Sequence, residues 1–222
     1  MSQDEQLTQR YIRDLREGDL ATRWWAADKL GDLAQPGSDA VPALIQALQE
    51  TEGKRSSGYL RWTAAEALGK IGDPSAVPAL TGALQDEDQI IRWQCAKALG
   101  RIGDPSAVPA LVVLLKREEV ASVRWYSVEA LAGICSLEKT PAQIRAMAVP
   151  ALIQVMNDDP DYHNRGEAAF ALGKIGGDQA EAALRDAAQR PDCHWYVRRC
   201  AELLLAGDEP GARNVLHSAR TL

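Results

Sequence analysis

The ten-residue word IGDPSAVPAL occurs twice without change, at residues 71–80 and 102–111, a spacing of 31 residues. Self-similarity at a period of a few tens of residues is the mark of a repeat architecture, and it outranks every local signal. The shorter word AVPAL starts at Ala40, Ala76, Ala107 and Ala148, and a weakened copy, AEAAL, starts at Ala180. A second word keeps the same rhythm: RWWAADKLGDL from Arg23, RWTAAEALGKI from Arg61, RWQCAKALGRI from Arg92 and RWYSVEALAGI from Arg124. Further copies from Arg165 and Arg198 replace the tryptophan with Gly166 and Arg199. The arginine-to-arginine steps are 38, 31, 32, 41 and 33 residues.

Each unit reads as two helices. Pro42, Pro78, Pro109 and Pro150 are expected in the opening turn of the first, where a missing N–H costs nothing. Asp73 or Ser75, and Asp104 or Ser106, are candidate N-caps. The second helix carries Arg at i, small residues at i+3 and i+4 and Leu at i+7, one face of a 3.6-residue period. Gly72 and Gly103 suit the left-handed position after its end. One such hairpin cannot bury its own apolar face, whereas stacked hairpins can. The expected fold is therefore all-α: a right-handed solenoid, or superhelix, of stacked helix pairs, with about a dozen helices and no strands. It forms a single repeat domain over residues 1–222. The repeats run near 7–35, 39–72, 74–103, 105–135, 146–176 and 178–207, followed by a C-terminal tail, 208–222. The two long steps predict loop insertions at 50–59 and 135–145.

Composition closes several routes. Acids outnumber bases, 31 to 25, and the formal charge is −6. A phosphate-binding surface draws its affinity from excess Lys and Arg, so nucleic acid is not an expected partner. The polar N-terminus has no signal or transit pattern, and the longest apolar run, 107–115, is far too short to cross a bilayer. A cytoplasmic protein without membrane insertion is expected. Its four cysteines, Cys95, Cys135, Cys193 and Cys200, should be reduced thiols.

Catalytic chemistry finds little support. His163, His194 and His217 are widely separated, and Cys193 and Cys200 lie about 10 Å apart along a helix, so no metal site is expected. No nucleophile sits beside a base and no glycine-rich phosphate loop is present. Carboxylate pairs such as Asp158–Asp159 fall at helix ends, where capping explains them.

The words ALGKIGDPSAVPALxxAL and RWxAAxALGxIGD resemble the HEAT repeat, and within it the phycobilin-lyase HEAT-like subfamily, over roughly residues 21–205. The resemblance implies a phycobiliprotein or its linear bilin as partner, in a photosynthetic cell, with the protein cytoplasmic or peripheral at the thylakoid or phycobilisome. It implies no resident cofactor beyond a transient linear tetrapyrrole. The His-Glu dipeptides of the di-iron HEAT-repeat hydroxylases are absent, which excludes that activity. HEAT-like DNA glycosylases use a basic concave surface, which the acidic balance disfavours.

On a helical wheel Arg61, Ala64, Ala65 and Leu68 share the core side, and Trp62 lies about 100° round, at its edge. The arginines, Arg23, Arg61, Arg92, Arg124 and Arg165, are assigned to the lattice between stacked units, with Asp88 one candidate partner for Arg92. The tryptophans admit two readings: wedges between adjacent helices, or a ladder along the concave surface where solenoids bind partners. Trp24, Trp25, Trp62, Trp93, Trp125 and Tyr126 are taken as the partner-binding set, ending where Gly166 replaces the ring. The leading function is then a non-catalytic scaffold for another protein, of the phycobilisome-degradation type. One subunit of a bilin lyase is the alternative, and a general assembly scaffold, for iron–sulfur or photosystem assembly, is the third reading. The oligomeric state is not readable.

Overall fold

The computed structural model describes residues 2–50 and 54–219. Among the described residues there are thirteen α-helices and no strand. They form two compact units, residues 1–110 and 111–222.

In the first unit α1 (Gln3–Glu17) pairs with α2 (Leu20–Leu33), α3 (Ala40–Leu48) with α4 (Lys54–Ile71), and α5 (Val77–Ala83) with α6 (Gln89–Ile102). The second helices form one layer, α2 on α4 on α6, held far more extensively than the layer of first helices. Small residues explain the close approach. A Cβ on Gly31 would lie 2.9 Å from the Ala67 Cα, and one on Gly69 would lie 2.8 Å from the Ala98 Cα. Ala26, Ala27 and Leu30 of α2, Ala64, Ala65 and Leu68 of α4, and Cys95, Ala96 and Leu99 of α6 are all buried.

Asp73 and Asp104 are the caps, each accepting the N–H of the serine two residues on at 2.8 Å. Each opens a 3₁₀ turn, Pro74–Ala76 or Pro105–Ala107, and the α-helix follows at Val77 or Val108. Gly72 and Gly103 have φ of 74° and 69°, the left-handed region that favours glycine.

The boundary between the units falls in the first turn of α7 (Val108–Arg117). In the second unit α8 (Ala121–Cys135), α10 (Tyr162–Ile175) and α12 (Trp195–Leu205) form the second layer. There α9 (Ala142–Asp158) and α11 (Asp178–Gln189) are the first helices of the last two pairs. Helix α13 (Glu209–Ala219) packs on α12 and α10, with Ala212 and Leu216 buried and Arg213 over the Phe170 ring at 4.5 Å.

Three expectations change. Pro150 is not in an opening turn but inside α9, because the insertion expected as a loop at 135–145 becomes helical from Ala142. The other insertion, 50–59, is helical from Lys54, while residues 51–53 lie outside the described residues. The expected tail, 208–222, carries a packed helix, α13.

Candidate binding surface on the second helices

Every repeat arginine is consumed by the stack. Helix C-termini leave backbone carbonyls without intrahelical partners. The arginine near the start of each second helix donates to carbonyls at the end of its own first helix or in the short connection that follows it. Arg23 Nε donates to the Leu15 carbonyl at 2.9 Å, and Arg61 Nε to Leu48 at 3.1 Å. Arg92 Nη1 donates to Asp86 and Glu87, Arg124 Nη1 to Glu118 and Glu119, and Arg165 Nε to Asp159. Arg198 continues the pattern with the carbonyls of Arg190, Pro191 and Cys193.

Several of these guanidinium groups also reach an acid of the next repeat: Arg23 to Glu50, Arg61 to Asp86 and Arg124 to Asp159. Hydrogen bonding to Arg23 holds the Glu50 carboxyl below its ordinary value. The Arg124 pair is bidentate, at 2.7 and 2.9 Å, and raises the Arg124 pKa further. Asp88 is instead the N-cap of α6, accepting the Ile90 N–H.

The tryptophans are neither core nor fully exposed. Trp24, Trp62, Trp93 and Trp125 are half-buried, as is Tyr126. Trp24 and Trp62 meet through Tyr59, with ring centroids 5.3 and 5.0 Å apart, so three rings run across α2 and α4. Trp62 Nε1 donates to Oε1 of Gln94 at 3.2 Å; the Gln94 side chain is 1% exposed and its Nε2 has no hydrogen-bond partner among the described residues. Trp25 turns away from this run and packs edge-on against Tyr11 of α1. Trp93 lies under Lys97 at 5.8 Å, and Trp125 packs edge-to-face on Tyr126 at 4.6 Å.

Further aromatic side chains follow Gly166 in the chain. A Cβ there would overlap the Tyr196 ring, so an aromatic from the next second helix fills the place beside Arg165. Tyr162 stacks on His163 at 4.0 Å and on His194 at 5.2 Å, and Trp195 lies edge-on to Tyr196. Tyr59 and Trp195 are the most exposed rings, at 55% and 61%. Sequence reading missed Tyr59, Tyr162, His163, His194, Trp195 and Tyr196. The available signal is aromatics two to four residues before the repeat arginine, whereas the repeat word carries only those after it.

The four cysteines are buried. Burial pushes the Cys135 thiol up to about 11 and Cys200 to about 12, and raises Cys95 further still. Burial thus favours the protonated form of Cys95, Cys135 and Cys200, and it is the thiolate that is nucleophilic. Among the described residues no group of three or more His, Cys, Asp or Glu could hold a metal ion, and no helix is long and apolar enough to cross a membrane.

Stacked helix pairs joined by a lattice of arginine contacts define a helical-repeat solenoid. A family model for HEAT repeats matches residues 53–132 and 136–206, and the chain belongs to the HEAT-repeat family. A model for the PBS lyase HEAT-like repeat matches residues 22–50. The phycocyanobilin lyase subunit alpha of Microchaete diplosiphon is 43% identical over 88 residues, 38% of this chain and 30% of that protein. The chain thus matches about a third of the length of such relatives. The structure of the complex of CpcE and CpcF of phycocyanin lyase from Nostoc sp. PCC7120 aligns with a TM-score of 0.53 at 25% identity, over 90% of this chain and 94% of that one. A designed armadillo repeat protein in complex with peptide (KR)4 aligns with a TM-score of 0.59 at 18% identity, over 97% and 100%, which bears on the fold alone. The chain is a repeat protein related to phycobilin lyases.

Proposed function

We propose that this chain is a protein-binding module that acts on phycobiliproteins through the aromatic edges of its second helices, as a scaffold rather than as the catalyst. One observation carries the reading. The repeated arginines and buried thiols are occupied in holding the stack, while Trp25, Tyr59, Tyr162 and Trp195 remain exposed on it. Exposed aromatics on a rigid frame supply contact area at little ordering cost, and such side chains dominate interface energetics. Any linear tetrapyrrole would be a transient passenger of the partner.

A second reading rests on the similarity to lyase alpha subunits: one subunit of a phycobilin lyase, with the bilin as substrate. Its contribution would be to hold bilin and acceptor thiol in register, since positioning alone accounts for a large part of many rate enhancements.

Mixing the purified chain with holo-phycocyanin separates the two. Co-elution with unchanged visible absorbance supports the scaffold. A time-dependent change in bilin absorption with turnover supports the lyase subunit. Neither co-elution nor spectral change removes phycobiliproteins as the partner.

A further inference from the structure

The first turns of α8 and α10, within the second unit, enclose an open groove of about 570 Å³ lined by Ser122, Trp125, Tyr126, Asp161, His163 and Asn164. One wall is the edge-to-face pair of Trp125 and Tyr126. Another is His163, stacked on Tyr162. Asn164, 2% exposed, is pinned by donating its Nδ2 to the Ala121 carbonyl at 3.1 Å and to Asp159 Oδ1 at 3.4 Å. Asp161 brings the carboxylate. Its Oδ1 accepts the His163 backbone N–H at 2.8 Å and lies 3.2 Å from His163 Nδ1. Its Oδ2 accepts no hydrogen bond among the described residues.

The surrounding charge is mixed, with Lys116 and Arg117 directly before the segment that leads into α8, but acids are in excess in the leading segments themselves. The segments leading into α8 and α10 hold Glu118, Glu119, Asp158, Asp159 and Asp161 against Arg124 and Arg165. Both arginines are engaged, by Asp159 and by the carbonyls of Glu118, Glu119 and Asp159. Aromatic faces are themselves electronegative and attract cations. A groove of rings with one carboxylate oxygen to spare is therefore complementary to an organic cation. Among side chains arginine fits best, because its guanidinium is planar, weakly hydrated and able to stack while donating from its edge. A lysine ammonium is more strongly hydrated and has no plane to stack.

We infer that this groove seats an arginine side chain of a partner protein, its guanidinium against the Trp125 and Tyr126 rings and its N–H groups donated to Asp161 Oδ2. The inference rests on the protein-binding reading and adds what that reading lacks: one position in the partner and the chemistry that recognises it.

The test is an NMR titration of the full chain that follows the Trp125 indole N–H, assigned with Trp125→Phe. The probes are N-acetyl-arginine amide, its citrulline analogue, which keeps the shape without the charge, and N-acetyl-lysine amide. The expected result is a saturable shift with arginine in the millimolar range, and at least fivefold weaker responses to citrulline and lysine. Asp161→Asn should weaken arginine binding at least fivefold while keeping the fold, because asparagine caps a helix about as well as aspartate. Equal responses to arginine and citrulline, equal responses to arginine and lysine, an Asp161→Asn variant that binds as tightly, or no saturable shift at Trp125 would each overturn the inference. Capture by phycocyanin is scored separately. A probe response without capture keeps the groove and removes the proposed partner; capture without a probe response does the reverse.

Discussion

Arg124 shows what the repeat arginine does at the scale of one residue. Asp159, 5% exposed, accepts two of its N–H donors, and the Asp159 carboxylate also accepts the Asp161 backbone N–H at 2.8 Å. A buried pair of this kind adds little net stability over an apolar packing, but removing one partner strands a buried charge. Arg124→Ala should therefore lower the unfolding free energy by about 3–5 kcal/mol. Urea denaturation measures it, and the double variant with Asp159→Asn should lose less than Arg124→Ala alone. A loss under about 1 kcal/mol would mean the pair behaves as a surface ion pair. The tryptophan beside each arginine has a different standing. Trp62 is tied by one hydrogen bond to a buried glutamine, and its ring is only half covered. It is part wedge and part surface, so the two readings of the repeated ring are two faces of the same side chain.

At the scale of the helix the deciding residues are the glycines of the ALG words. Gly69 lies inside α4, where alanine has the higher helix propensity by about 1 kcal/mol. A Cβ there would lie 2.8 Å from the Ala98 Cα, and backbone cannot give way as a flexible side chain does. Overpacking of this kind costs about 1–3 kcal/mol, which outweighs the propensity gain. Gly69→Ala should thus destabilise the protein by up to about 2 kcal/mol. Gly82→Ala, in α5 with open space around it, should stabilise it by about 0.5–1 kcal/mol. Chemical denaturation of both variants checks the argument, which fails if the two changes share a sign. The helix pairs themselves were legible, because proline, aspartate caps and left-handed glycines recur with the period. The close approach of second helices is half legible: small residues at i+3 and i+4 signal it, but nothing in the repeat word sets Gly31 and Gly69 apart as contact points. Helical extension of the insertions was not legible. Pro150 reads as an opening-turn residue by analogy with Pro78 and Pro109, and nothing local in 142–149 announces that the helix has already begun. Likewise α13 carries no repeat word; only its packing against α12 and α10 orders it.

At the scale of the whole molecule each unit presents its own exposed rings, and their exposure allows binding to be separated from folding. Tyr59 with Trp25 marks the first unit, and Trp195 with Tyr162 marks the second. The second set is invisible from the repeat word because it precedes the arginine, and because Gly166 breaks the run of tryptophans that follow the arginine. Rings that keep a third to more than half of their surface in water forfeit only part of their burial energy when truncated, about 1 kcal/mol each. A contact surface behaves otherwise: an aromatic anchor buried by a partner is worth about 2 kcal/mol or more, roughly thirtyfold in affinity. The double variants Trp25→Ala with Tyr59→Ala, and Tyr162→Ala with Trp195→Ala, should therefore keep helical circular dichroism and most of the thermal stability. At least one of them should lose roughly thirtyfold in affinity for immobilised holo-phycocyanin. The pair that loses it names the unit that carries the contact. Undiminished binding by both would move the contact off the second-helix edges, and unfolding of either would return its rings to the core.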